Sequence, residues 1–104
     1  MLKPGAFTRI RMFLVYKLLY TEDALKRIAK LDERRKLQIK EAVEEIAKDP
    51  MQGKPLSSVL KGRYSYRSGD YRIIYRVHHR EIVVLILTLG HRKDIYKYLK
   101  RKDW

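Results

Sequence analysis

The residues best suited to chemistry are arginines at alternating positions, accompanied by a few hydroxyl, imidazole and phenol groups. Arg63, Ser65 and Arg67 recur at a spacing of two, and Arg72 and Arg76 flank Ile74, so in strands each set shares one face. A third stretch, His91, Arg92 and Tyr96, follows the last apolar run. A planar guanidinium grips two phosphate oxygens through paired hydrogen bonds. Such rows suit a phosphodiester on which negative charge must be dispersed. Imidazole ordinarily titrates near neutrality, which makes His91 a candidate acid or base. Tyr96 offers a stacking ring or, where cations favour phenolate, a base. The same residue types also serve plainer ends. Arg67, Arg72 and Arg76 could be surface charges or partners for Asp70, Glu81 and the helix acids, and Tyr71 and Tyr75 suit core and rim packing. His78 and His79 fall in a turn with no carboxylate or cysteine cluster beside them, so exposure is a better reading there than metal binding.

The composition narrows the partners. The 104 residues carry 25 Lys+Arg against 12 Asp+Glu, a formal charge of +13, which favours polyanions such as nucleic acid or a strongly acidic protein. Residues 21–49 hold eight charges of each sign, whereas residues 61–104 hold twelve basic against four acidic. The excess therefore sits on the later half of the chain, and the mixed charges of 21–49 read as an ordinary solvated face. No cysteine is present, which removes disulfides, thiol nucleophiles and Cys-based zinc sites. The apolar stretch 12–20 is short, interrupted by Lys17 and followed by no small-residue cleavage pattern. It reads neither as a secretory leader nor as a membrane span. A cytoplasmic protein with no membrane partner and no cofactor is expected.

The elements that must position these groups follow from periodicity. Residues 13–20 read as a strand, and Thr21-Glu22-Asp23 supplies a helix cap followed by acids suited to the first turn. Leu25, Ile28 and Leu31 recur at helical spacing. Asp32 can cap a second helix with Ile39, Val43 and Ile46 on one face, stopped by Asp49-Pro50. Residues 51–60 read as a connecting loop pinned by Leu56, Val59 and Leu60. Residues 63–67 alternate as a strand, and Ser68-Gly69-Asp70 makes a turn. Tyr71 to Val77 presents Tyr71, Ile73, Tyr75 and Val77 on one side, and Ile82 to Leu87 is apolar throughout, as in an interior strand ended by Gly90. His91 to Trp104 reads as a basic tail or short helix, loosely held. The expected fold class is α+β, a single domain over 1–104. It has βααβββ order, a small, mainly antiparallel twisted sheet and a helical hairpin packed on it. Residues 1–11 read as a flexible basic extension, with Met12 an alternative start.

The run Leu60-Lys61-Gly62-Arg63-Tyr64-Ser65-Tyr66-Arg67-Ser68-Gly69-Asp70-Tyr71-Arg72-Ile73-Ile74-Tyr75-Arg76-Val77, with Leu89-Gly90-His91-Arg92-Lys93-Asp94-Ile95-Tyr96, strongly resembles the RelE/ParE toxin superfamily. The likeness covers about Phe13 to Tyr98. It implies a RelE-like toxin of a type II toxin–antitoxin module that enters the ribosomal A site and cuts mRNA, and that a RelB-like antitoxin silences. Carried over by position, the resemblance makes Arg72 the arginine at the scissile phosphate, Arg92 the arginine after the last core strand, and Tyr96 the C-terminal tyrosine. Arg63 and Ser65 fall where the best-known member has two lysines. Arg63 joins the catalytic set on this basis, while Ser65 keeps only a hydroxyl and Arg67 shares its strand face. Lys61, Ser65, Arg67, Arg76 and His91 are the expected RNA contacts, with ribosomal RNA, mRNA and the antitoxin as partners. The implied reaction is a metal-independent attack of the ribose 2′-oxygen on the adjacent phosphorus. Two other functions stay open: a ParE-like inhibitor of DNA gyrase, and a nonenzymatic basic nucleic-acid-binding module.

Overall fold

The computed structural model describes residues 15–99. The expected extension 1–11, the start of the first strand and the basic end Lys100-Arg101-Lys102 lie outside the described residues. Strand β1 spans Lys17–Tyr20 and runs into helix α1, Glu22–Ala29, at the expected cap: the Thr21 hydroxyl accepts from Ala24 N at 3.1 Å. Asp32 caps helix α2, Glu33–Lys48, by accepting from Arg35 N at 2.8 Å. α2 presents Ile39, Val43 and Ile46, all buried, to the sheet. On the shorter helix the buried residue is Ala24, whereas Leu25 is 54% exposed. The core stripe of α1 therefore runs through Ala24 and Ile28, continued by Leu31 just past its end, rather than through Leu25.

The expected loop after Pro50 is more ordered than its Gly, Pro and Ser content suggests. Two short 3-10 turns, Pro50–Gln52 and Ser58–Leu60, bracket a two-residue strand β2, Lys54–Pro55. β2 adds a fifth strand at the sheet edge, a position that tolerates proline because the missing N–H is not needed there. Leu56 and Leu60 pin this segment to apolar neighbours, but Val59 is 80% exposed and pins nothing. Strands β3, Tyr64–Ser68, β4, Tyr71–His78, and β5, Val83–His91, complete the sheet. The order is β1-β5-β4-β3-β2, with β1 parallel to β5 and the other neighbours antiparallel. β5 is interior, as its unbroken apolar run predicts, but it continues through Gly90 to His91.

The two faces differ. The helix side carries the main core, with Ile73, Tyr75, Val84, Ile86 and Leu89 against α1 and α2. The other face carries a smaller cluster, Ile74 and Leu87, on which the last helix α3, Ile95–Leu99, is seated. Ile95 and Leu99 are each 1% exposed, so this segment is docked rather than loosely held. Burying two such side chains is worth about 1.5–3 kcal/mol each.

Candidate nucleic-acid interface

Strand pairing assembles the arginine rows on the face opposite the two-helix layer. Within β4, Tyr71, Ile73, Tyr75 and Val77 point to the helix-side core, which leaves Arg72, Ile74 and Arg76 on the open face. Arg67 of β3 is paired directly with Arg72, and Ser65 with Ile74. Directly opposed Cβ atoms lie about 5 Å apart, so the two guanidiniums of Arg67 and Arg72 spring from adjacent points. Like charges in that position destabilise a sheet, and among the described residues no carboxylate comes within ion-pair distance of Arg67, Arg72 or Arg76. Arg67 Nε donates to Gly69 O at 3.1 Å, while the buried Nε of Arg76 has no hydrogen-bond partner. An anion held between Arg67 and Arg72 would relieve that repulsion.

α3 brings Tyr96 to the same face, where its hydroxyl donates to Ser65 Oγ at 3.2 Å. Ser65 thus anchors the phenol. Arg92 lies past the end of β5. Its N–H donates to Asp70 O at 2.8 Å, and its guanidinium stands 3.9 Å from the Asp70 carboxylate, with both side chains about half exposed. An exposed pair at that distance contributes little and leaves Arg92 able to exchange Asp70 for a phosphate. Arg72 is in register with Gly90, two positions before Arg92. The two arginines therefore stand at the same end of the sheet.

Two expected site residues, Arg63 and His91, are placed differently. Arg63 is only 7% exposed, and its Nη1 donates to the carbonyl of Val59 at 3.3 Å. It braces the Ser58–Leu60 turn from below instead of standing out on the strand face. His91 lies on the helix side, its ring edge-on to Tyr71 at 6.1 Å, and its Nδ1 accepts from Lys93 N. Lys61 is exposed in the turn that enters β3. A groove of about 430 Å3 on the helix side is lined by Lys26, Arg27, Lys30, Tyr71 and His91. Lys26 pairs there with Glu22 and Arg27 with Asp23, so its charge is largely matched, in contrast to the open face. The Asp23–Arg27 pair also reaches β5, since Thr88 Oγ1 donates to Asp23 at 2.6 Å and Arg27 Nη1 to Leu89 O at 3.3 Å. These residues are structural partners of the last strand, not part of a merely solvated face. Nothing in the sequence pattern marks that role.

The chain is similar to known toxins in sequence and in fold. Residues 18–96 match the family model of the ParE toxin of type II toxin–antitoxin systems. Toxin RelG of Mycobacterium tuberculosis is 36% identical over 84 residues, covering 79% of this chain and 97% of RelG. The toxin fold in the crystal structure of the RelBE2 toxin–antitoxin complex from Mycobacterium tuberculosis matches with a TM-score of 0.73 at 32% identity, over 80% of this chain and 98% of that one. The isolated RelE toxin of E. coli matches with a TM-score of 0.64 at 27% identity, over 83% and 97%. With its sheet, its helical hairpin and the matched span in agreement, the chain belongs to the RelE/ParE superfamily of type II toxin–antitoxin toxins.

Proposed function

We propose that this toxin is a ribosome-dependent, metal-independent endoribonuclease that cleaves mRNA in the ribosomal A site. The observation that carries the reading is the unneutralised Arg67–Arg72 pair on the face that also holds Tyr96. In the reaction, the 2′-oxygen of one ribose bonds to the adjacent phosphorus and the 5′-oxygen of the next nucleotide departs. The products are a 2′,3′-cyclic phosphate and a free 5′-hydroxyl. Arg72 grips the phosphoryl oxygens and stabilises the charge that builds on them. Arg67 and Arg92 close in from the neighbouring strand and the end of β5, and Tyr96, steadied by Ser65, supports the reacting nucleotide by stacking or proton exchange. Arg76 and Lys61 hold flanking phosphates, and Arg63 adds positive potential from beneath. With His91 across the sheet and His78 six residues away along β4, no imidazole stands beside Arg72 among the described residues. The ribosome must therefore supply much of the rate by holding the message in a reactive pose, and cleavage of free RNA is weak.

The complexes solved for relatives, RelBE2 of Mycobacterium tuberculosis and RelBE of E. coli, support neutralisation by a RelB-like antitoxin. Acidic groups of such a partner would cover the same arginines. No helix among the described residues is long and apolar enough to cross a membrane, and a ribosomal target places the activity in the cytoplasm. The test is a cell-free translation reaction with cuts mapped on the mRNA. Wild-type protein cuts at the A-site codon, and Arg72→Ala, still folded, cuts at least about 100-fold more slowly. Undiminished cutting by Arg72→Ala would remove the assigned role of that residue. A match to the ParE toxin model also favours a second reading, inhibition of DNA gyrase. Loss of supercoiling with intact mRNA would select it.

A further inference from the structure

We propose that Asp23, Arg27 and Thr88 form a positioning clamp that sets the bulge in β5 and, through it, the placement of Arg92 and Tyr96 against the Arg67–Arg72 pair. The functional half of this proposal rests on the nuclease reading. β1 ends at Tyr20, opposite Ile86, and leaves the edge of β5 beyond that point without a strand. Unpaired edge groups need other partners, and α1 with its cap supplies them. Thr21 N donates to Ile86 O at 3.0 Å, the Thr21 hydroxyl donates to Leu87 O, and Arg27 Nη1 donates to Leu89 O. A single carboxylate oxygen, Asp23 Oδ2, accepts from both Thr88 Oγ1 at 2.6 Å and Arg27 Nε at 3.0 Å. Thr88 is fully buried, and hydrogen bonds to a carboxylate are the stronger kind.

The clamped stretch is where the register jumps. Tyr75 pairs with Ile86 and Ile74 with Thr88, so Leu87 is an extra residue on β5. A bulge re-aims the residues that follow it. Gly90 comes next, paired with Arg72. A Cβ at Gly90 would lie 3.1 Å from Ile95 Cδ1 and 3.5 Å from Arg27 Nη1. The guanidinium of the clamp and the first residue of α3 thus converge on the residue opposite Arg72. An ordinary exposed i,i+4 ion pair would need neither the buried hydroxyl nor the strand carbonyl. Freeing the bulge shifts Gly90 and, with it, the seat of α3. A misplacement of about 1 Å at a reacting centre is worth about 100-fold in rate.

The experiment compares Thr88→Val, which keeps the volume and removes the hydroxyl, with Thr88→Ser, which keeps the hydroxyl. With Thr88→Val, single-turnover cutting on programmed ribosomes is expected to fall at least tenfold while ribosome affinity changes less than twofold. Thr88→Ser is expected to stay within threefold of wild type. On the free full-length chain, amide hydrogen exchange at 90–96 is expected to speed up at least tenfold in Thr88→Val, with α2 and β4 unchanged. Wild-type cutting by Thr88→Val, or unchanged exchange at 90–96, overturns the clamp. So does equal loss in the valine and serine variants, or uniform acceleration across the sheet, since either would mark general destabilisation. If the wild-type protein itself does not cut, the nuclease reading falls, and the exchange measurement alone decides the clamp.

Discussion

Replacing Tyr75 by Phe is expected to destabilise the protein by about 2–4 kcal/mol at neutral pH and to remove a specific part of its alkaline sensitivity. Tyr75 is fully buried on the helix side of β4. Its hydroxyl donates to Pro50 O at 2.7 Å and accepts from Gly53 N at 3.1 Å. Phenylalanine fills the same space but leaves two backbone groups of the 50–53 segment unsatisfied, at about 1–3 kcal/mol each before relaxation. For a chain of this length the midpoint of thermal unfolding should fall by about 10–20 °C. Burial pushes the Tyr75 phenol up to about 12, with nearby tyrosines and Asp49 adding to the rise and the Gly53 hydrogen bond opposing it. The raised value fixes the sign, because the folded state holds the phenol proton more tightly than the unfolded chain, whose phenol titrates near 10. The stabilisation is therefore complete below about pH 10 and is lost as pH rises to about 12, by roughly 2 to 3 kcal/mol. Urea unfolding of both proteins from pH 7 to pH 11 checks this: the gap between them should be constant to about pH 9.5 and then narrow. A gap below 0.5 kcal/mol at pH 7, or one that widens above pH 10, would refute the reasoning.

Four further substitutions probe the supports of the interface. A Cβ at Gly53 would lie 2.3 Å from the Tyr75 hydroxyl, so Gly53→Ala should cost about 1–3 kcal/mol, and in the background of Tyr75→Phe its effect should shrink because that oxygen is gone. Ser58 is exposed at φ 56°, a conformation costing a residue with a Cβ about 1–2 kcal/mol. Ser58→Gly should therefore raise stability by about 0.5–1 kcal/mol after the extra chain entropy of glycine, measured by urea melting. Ser65→Ala and Tyr96→Phe should each lose the same hydrogen bond, about 0.5–1.5 kcal/mol. The double variant should be no less stable than the worse single one, and simple additivity would show that the two hydroxyls act independently.

Most of the fold was legible because it is written in short-range signals. Thr21 and Asp32 cap their helices, Asp49-Pro50 ends the second, and the alternation of Tyr71, Ile73, Tyr75 and Val77 marks one face of β4. What escaped depends on partners distant in sequence. The β2 strand has two residues and exists by pairing Lys54 with Ser65 and Pro55 with Tyr64, and no local pattern announces so short an edge. Leu25 has the right spacing for a core face, yet Ala24 occupies the buried position because α1 lies close on the β5 edge, where a small side chain fits. The docked α3 escaped for the same reason, since its Ile95 and Leu99 find their apolar partners on Ile74 and Leu87.

The candidate interface divides along the same line. Arg67 and Arg72 were each readable as strand residues, but their pairing was not: a Ser68-Gly69-Asp70 turn would set Arg67 against Tyr71, whereas Ser68 pairs with Tyr71 and the shorter turn brings Arg67 opposite Arg72. His91 was not readable, and the reason is a matter of parity. If β5 alternated without interruption, Leu85, Leu87, Leu89 and His91 would share the face of Arg72. The extra residue at Leu87 reverses the alternation, so Leu89 enters the helix-side core and His91 meets Tyr71. One inserted residue therefore removes the His91 imidazole from beside Arg72, and the imidazole that does share the arginine face, His78, stands at the far end of β4. The bulge is thus the physical link between the geometry of β5 and the expected dependence on the ribosome. A chain that straightened it would bring an imidazole to Arg72, at the expense of breaking the Asp23–Thr88 tie that holds the strand to α1.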